Sequence, residues 1–135
     1  MARFYDIDEA NAVLVEIGPL LANLADQRAE LIRLRDASLA AHSPSGGGSS
    51  ELDEQEDRRI RLRMKGVVDQ MAAAVSRIDA LGISLRDIER GLIDIPALVA
   101  GRQIWLCWQL GEPAVAHWHE LETGFGGRRR LIDLV

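Results

Sequence analysis

Two long stretches of the chain repeat apolar residues at every third or fourth position. The first runs from residue 7 to 40 and the second from residue 51 to 81. This spacing places the apolar side chains on one face of an α-helix, so each stretch is predicted to be an amphipathic helix. Asp6 followed by Glu9 has the pattern of a capping box at the start of the first helix. Gly82 is placed to end the second.

The segment between the helices, residues 42–50, consists of His, Ser, Pro and Gly and is predicted to be a flexible loop. Two helices of about thirty residues joined by such a loop are expected to pack antiparallel. Pro19 lies inside the first helical stretch. Because proline removes a backbone hydrogen bond, we expect a kink or a restart of the helix there.

The periodicity changes after the second helix. Segments 83–86, 91–96 and 102–110 alternate or are rich in aromatic and β-branched residues, which is typical of strands. A fourth element at 115–121 is also predicted to be a strand. In the third segment, one face carries Ile104, Leu106, Trp108 and Leu110, and the other carries Trp105, Cys107 and Gln109. The first face is expected to pack on the helices.

These elements predict an α+β fold. We expect a long antiparallel two-helix hairpin packed on a small three- to four-stranded antiparallel sheet. All of it is assigned to a single domain, residues 1–135, with the sheet and a C-terminal loop in 83–135. A length of 135 residues and a hydrophobic content of 47% suit one domain with one core.

Composition and charge argue against several classes of protein. The net charge is −5 and the pI about 5.2, so a protein that binds nucleic acid by bulk positive charge is not expected. No apolar run is long enough for a membrane span, and the N-terminus lacks the apolar stretch of a signal peptide. The single cysteine excludes an internal disulfide. We therefore expect a cytoplasmic protein.

Rare and chemically versatile side chains are concentrated in the last third of the chain, which makes it the candidate site region. The apolar stripes of the two long helices are larger than a small sheet can cover. The remaining apolar surface is expected to pack against a second copy, which gives a homodimer through the helices. The candidate ligand-binding residues are Trp108, Glu112, Trp118, His119, Glu120, Gly124, Gly127 and Arg128.

Glu112 stands at a strand end among apolar neighbours, where a carboxylate is costly unless it is paired. Arg128 and His119 are its candidate partners. Such a pair is either a structural ion pair that fixes the C-terminal loop to the sheet or an acid–base pair. The loop around Gly124 and Gly127 combines glycines with three consecutive arginines, so it either binds an anionic small molecule or forms a solvated turn.

The same region also contains residues that suit metal binding or nucleophilic catalysis. His117 and His119 share a strand face, and with Glu120 they form a weak candidate metal site. Cys107 with His119 is a candidate nucleophile pair, although a cysteine in the middle of a strand is expected to pack as a small hydrophobe. No catalytic residue and no cofactor is assigned.

The motifs resemble an uncharacterised prokaryotic protein family catalogued as domain of unknown function 2203. The resemblance covers nearly the whole chain and rests on Glu9-Ala10-Asn11, Pro19, Gly91-Leu92-Ile93-Asp94-Ile95-Pro96, Leu106-Cys107-Trp108, Gly111-Glu112-Pro113, Trp118-His119-Glu120, Gly124-Phe125 and Gly127-Arg128. Ile95 stands where such families usually carry an aromatic residue, which is a packing change. The resemblance implies a bacterial cytosolic protein without an established activity, and it adds Asp94 to the shared positions.

The function therefore remains unknown at this stage, and three hypotheses are kept. The first is a small cytosolic, non-catalytic interaction or assembly module. The second is a binding protein or enzyme for a phosphate- or carboxylate-bearing small molecule that uses Glu112, His119 and Arg128. The third is a divalent metal site at His117, His119 and Glu120.

Overall fold

A computed structural model describes residues 3–41 and 51–134 of the chain. The two helices are α1 (Ile7–Ala41) and α2 (Glu51–Ala80), close to the predicted bounds. The five strands are β1 (Ser84–Asp87), β2 (Leu92–Val99), β3 (Arg102–Gln109), β4 (His117–His119) and β5 (Arg129–Arg130). The predicted α+β class is confirmed. The loop predicted at 42–50 lies outside the described residues. No helix in the described part combines the length and apolarity needed to cross a membrane.

Local signals fix the helix ends. The backbone N–H of Glu9 donates to Asp6 Oδ1 at 2.7 Å, and the N–H of Asp6 donates to Glu9 Oε1 at 3.2 Å. This reciprocal pair is the predicted capping box, and it satisfies N–H groups that a helix start leaves without partners. After α2, Gly82 adopts a φ of 76°, and the N–H of Ile83 reaches back to the carbonyl of Ile78. Gly82 ends the helix because glycine takes this backbone conformation without strain.

Of the kink or restart expected at Pro19, the restart is wrong, because α1 runs through this residue without interruption. The proline is exposed, whereas Ile17 and Leu21 on either side of it are completely buried in the core. Pro19 cannot donate to the carbonyl of Val15, which lies on the solvent side, where water is available. Packing on both sides of the proline therefore holds the helix together at the cost of one hydrogen bond.

The helices pack antiparallel, as predicted. Arg63 Nε on α2 donates to Glu30 Oε1 on α1 at 2.7 Å, and Gln27 Nε2 donates to Gln70 Oε1 at 3.3 Å. The residue numbers on one helix rise as those on the other fall, which is the signature of an antiparallel pair. One member of each pair, Arg63 and Gln70, is exposed, so the contribution of these contacts to stability is small.

The sheet is an antiparallel meander in the order β1-β2-β3-β4-β5, with each strand beside its sequence neighbour. It has one strand more than the three to four predicted. The additional strand is β5, which was expected to be part of a loop. Leu131, directly after it, donates its N–H to the carbonyl of Ala116 at 2.8 Å. Two residues carry no alternation, so sequence periodicity gives no signal for such a strand.

Alternation along the strands separates two faces of the sheet. The inner face carries Ile93, Ile95, Leu106 and Trp118, which belong to one buried core with the helices. Trp108 and Ile104 belong to the same core, as the alternation in β3 predicts. The outer face points away from the helices, and the segment that follows β4 returns across it. The candidate chemistry lies on this outer face.

Candidate functional site

Three chemically versatile side chains meet on the outer face of the sheet. Asp94 on β2 lies directly opposite Cys107 on β3, and His119 on β4 lies opposite Trp105, two residues before the cysteine. Paired residues and residues two apart share a sheet face. Asp94, Cys107 and His119 therefore converge, and they are 3%, 1% and 2% exposed. One potential ligand atom from each lies within 4.8 Å of the other two.

The contacts of His119 define where its protons are. Nδ1 lies 2.7 Å from the backbone carbonyl oxygen of Glu120, and Nε2 lies 2.8 Å from Asp94 Oδ1. A carbonyl oxygen only accepts, so Nδ1 carries a proton and donates it. The remaining contact joins Nε2 to a carboxylate oxygen, and it also needs a proton between its two atoms. The imidazole and the carboxyl group thus share one proton in a buried, charge-assisted hydrogen bond.

The second oxygen of Asp94 is also engaged. Arg86 Nε on β1 donates to Asp94 Oδ2 at 2.8 Å, and the guanidinium lies 5.2 Å from the centre of the Trp105 ring. Arg86 is half-exposed, whereas the carboxylate beside it is almost fully buried. Because each of the two oxygens has a hydrogen-bond partner, the cost of burying this carboxylate is offset.

A cavity of about 290 Å³ opens beside this group. Its wall combines Asp94, His119 and Arg86 with apolar side chains, and its cover comes from the segment after β4, including Phe125 and Gly124. The acidic side chain of Glu122 lines the same space. The polar groups of the outer face are therefore accessible from this cavity although they are buried.

Burial raises the pKa of the Cys107 thiol to about 11. The neighbouring carboxylate of Asp94 also raises it, whereas the Arg128 guanidinium acts in the opposite direction. The thiol is thus neutral at physiological pH. Because the thiolate is the nucleophile, this environment does not favour the candidate pair of Cys107 and His119 for covalent catalysis.

Glu112 and Arg128 form a separate ion pair between the end of β3 and the C-terminal segment. Arg128 Nη2 lies 2.9 and 3.0 Å from the two carboxylate oxygens of Glu112, and it lies 3.4 Å from the carbonyl oxygen of Cys107. The backbone N–H of Gln109 also donates to Glu112 Oε1 at 2.7 Å. These contacts join the C-terminal segment to the end of β3, as expected of a structural ion pair.

Replacing Glu112 with glutamine is expected to lower the free energy of unfolding by about 1–3 kcal/mol. The amide keeps one acceptor for Gln109 but directs an N–H₂ group at Arg128. Urea denaturation of both proteins measures the difference. The control is Glu122→Gln, an exposed position where the same change is expected to have almost no effect. Equal stability of Glu112→Gln and the unaltered protein would contradict the structural role.

The eight predicted ligand-binding residues do not form one cluster. Trp108 and Trp118 are buried on the inner face, against the helices. Glu120 lies 3.5 Å from Arg102, and Gly127 packs against Thr123. Glu112 and Arg128 pair with each other, as described above. Of the eight, His119 and Gly124 line the cavity.

The described structure does not bring the predicted metal-binding residues His117, His119 and Glu120 together. His117 Nδ1 lies 3.7 Å from Glu112 Oε2, and the Glu120 carboxylate is directed at Arg102. In the part of the chain that the structure describes, neither belongs to a group of three close metal-ligand atoms. His117 and His119 do share a face, but His117 lies near Glu112 whereas His119 contacts Asp94. The three residues whose ligand atoms do lie close together are His119, Asp94 and Cys107.

Sequence reasoning missed Arg86 and Phe125 as site residues and gave Asp94 no role. Asp94 had a usable signal, because it is a charged residue inside the apolar run of β2 and must be paired when buried. Arg86 and Phe125 had none, since their position depends on strand register and on the path of the C-terminal segment.

Comparison with known proteins gives one finding. Residues 3–131 match the family described as an uncharacterized conserved protein, domain of unknown function 2203. No match was found among curated proteins or among solved structures. The match spans both helices and all five strands, in agreement with the resemblance in the motifs. The chain therefore belongs to the family of domain of unknown function 2203.

Proposed function

We propose that the protein is a non-catalytic assembly module that pairs with a second copy of itself through its helices. The proposal rests on the part of the hairpin that contributes no residue to the core cluster, residues 25–41 of α1 and 51–66 of α2, called the helical arm here. No residue within 25–41 is buried. The core that covers the sheet takes its α1 members from residues 10–24. The arm is therefore dispensable for the core of the sheet.

The helical arm is long and has little core of its own. Seventeen residues of helix extend about 25 Å at about 1.5 Å per residue. Among the side chains that the structure describes in the α2 portion, Asp57 and Ile60 are buried, whereas Leu62, and Leu39 on α1, are each 65% exposed. Two helices that are covered on one side only gain stability when a further helix layer packs on them. A second copy supplies that layer.

The charge pattern of α2 favours an identical partner. Its first turns carry Glu51, Asp53, Glu54, Glu56 and Asp57, and the following turns carry Arg58, Arg59, Arg61, Arg63 and Lys65. Two such helices, packed antiparallel around a two-fold axis near residue 58, place each acidic block opposite the basic block of the partner. A two-fold interface requires this kind of self-complementary surface. Intrachain pairs such as Arg59 with Glu56, at 3.5 Å, are exposed and cost little to exchange.

The experiment uses two charge-reversed variants, Glu51→Lys with Glu54→Lys and Arg61→Glu with Lys65→Glu, whose altered positions face each other across the proposed two-fold axis. Each variant alone is expected to be a monomer, because like charges then face each other across the two-fold axis. An equimolar mixture is expected to form a heterodimer. Light scattering after size-exclusion chromatography measures the masses. The control is Arg129→Glu with Arg130→Glu, exposed positions on β5 outside the arm, which should leave the dimer intact.

Two results would overturn the proposal. One is a monomeric unaltered protein at its highest soluble concentration. The other is a dimer whose mass neither variant changes.

The contacts at the C-terminus support the non-catalytic part of the proposal. Arg128 and Glu112 are paired with each other, so neither group is directed at the cavity. Binding of an anionic small molecule by Arg128 stays a prediction. We also assign the module to the bacterial cytoplasm, which fits the family and a single cysteine that is kept as a buried thiol.

A further inference from the structure

We propose that Asp94, Cys107 and His119 bind a thiophilic divalent metal ion, with zinc as the ion that fits best. One potential ligand atom from each residue lies within 4.8 Å of the other two. A tetrahedral zinc ion with bonds of about 2.0–2.3 Å separates its ligand atoms by roughly 3.3–3.7 Å. The three side chains therefore reach a common ion through shifts on the order of 1 Å.

His119 is already oriented as a metal ligand. Its Nδ1 donates to the carbonyl oxygen of Glu120 at 2.7 Å, which directs Nε2 at Asp94. Histidines that bind metals usually donate their other ring N–H to a carbonyl or carboxylate, which fixes the ring and makes the ligating nitrogen more basic. The structure has this outer contact in place, so the imidazole need not rotate to receive an ion.

Asp94 is oriented by a similar outer contact. Arg86 Nε holds Oδ2 at 2.8 Å, while Oδ1 faces His119 Nε2. The carboxylate can therefore offer Oδ1 to a metal while Arg86 keeps the other oxygen. This arrangement predicts a monodentate carboxylate ligand.

The donor set selects the class of metal. A thiolate and an imidazole bind zinc and neighbouring transition metals, whereas magnesium and calcium prefer sites made of oxygen atoms. When the ion binds, the proton of the Cys107 thiol and the proton shared by Asp94 and His119 pass to solvent. One thiolate and one carboxylate then balance the two positive charges of the ion, with the imidazole neutral.

The cavity supplies a path and a fourth ligand. Asp94 and His119 line the space of about 290 Å³ that leads to solvent past Glu122 and Phe125. Three protein ligands and an open position occupied by water are typical of zinc sites that exchange or activate a ligand. The position on the cavity side is therefore assigned to water. This site is on the sheet, outside the helical arm, so it is independent of the proposed dimer.

The test titrates the EDTA-treated, dialysed protein with Co²⁺, a spectroscopic probe of zinc sites. We expect one equivalent to bind with a thiolate-to-cobalt charge-transfer band, which zinc then abolishes by displacement. Cys107→Ala should lose the band and bind zinc more than about 100-fold more weakly, since loss of an outer contact alone weakens binding about 10–100-fold. His117→Gln and Glu120→Gln are the controls, and both should bind like the unaltered protein.

X-ray absorption of the zinc-loaded, unaltered protein gives a measurement that does not depend on how the variants fold. One sulfur ligand at about 2.3 Å is expected. The proposal is overturned if the unaltered protein binds neither ion, or if the zinc shell contains no sulfur. It is equally overturned if Cys107→Ala binds as tightly as the unaltered protein, or if His117→Gln abolishes binding.

Discussion

Replacing Asp94 with leucine is expected to lower the free energy of unfolding by about 3–5 kcal/mol. The side chain has a similar size but removes both acceptors, which leaves His119 Nε2 buried without a partner and frees the Arg86 guanidinium. Breaking a buried charged pair costs more than the pair contributes, because the remaining group still has to be desolvated. Urea denaturation of the metal-free proteins measures the change.

The matched variant Asp94→Asn is expected to recover at least half of this loss. Because His119 donates through Nδ1 to the carbonyl of Glu120, a neutral imidazole presents an acceptor at Nε2. The asparagine amide can donate to that nitrogen while its oxygen accepts from Arg86. The comparison therefore tests the arrangement of protons as well as the energy. Equal destabilisation by leucine and asparagine would show that His119 does not have this tautomer.

The second large effect is expected at the start of β2. Gly91 has a φ of 62°, and a Cβ added there would lie 2.5 Å from the Cβ of Leu110. Gly91→Ala therefore combines left-handed backbone strain of about 1–2 kcal/mol with a steric overlap of about 1–3 kcal/mol, for a total of about 2–5 kcal/mol. Leu110 Cβ is attached to the backbone and cannot move away by rotation of the side chain. Thermal and urea unfolding of the variant measure the loss.

Gly101→Ala separates the two contributions. Gly101 has a similar φ of 77°, but no atom lies within 4 Å of its added Cβ. This variant is expected to lose about 1–2 kcal/mol, which is the backbone strain alone. If both variants lose the same free energy of unfolding, the contact with Leu110 contributes nothing to the effect of Gly91→Ala. The carbonyl of Gly91 also accepts from the N–H of Leu110 at 2.9 Å, so this close approach belongs to the register that aligns Asp94 with Cys107.

The helices and the two sheet faces were predictable because each depends on residues that are close in sequence. The capping box of Asp6 and Glu9 and the alternation around Leu106 are visible within a few positions. The continuity of α1 through Pro19 was not predictable, since packing against distant strands decides it. The two residues of β5 are too few to show a period.

The candidate site was predictable only in its location. The sequence indicated the last third of the chain, and His119 is indeed part of the converging group. Its partner Asp94 is on another strand, and which strand residues face each other is set by register, which a sequence pattern does not specify. Glu112 and His119 were expected to pair, but Glu112 pairs with Arg128 whereas His119 contacts Asp94.

The meander order of the sheet has a consequence for how the chain folds. Every strand pairs with its neighbour in sequence, so the segment from Arg86 to His119 closes through short connections only. Short connections carry a small entropic penalty, and topologies with local contacts fold quickly. The polar side chains Asp94, Cys107 and His119 can thus meet early, when the adjacent strands β2, β3 and β4 pair. The helices cover the opposite face of the sheet, so we expect that assembly of the outer-face polar groups and burial of the apolar core can occur as separate events during folding.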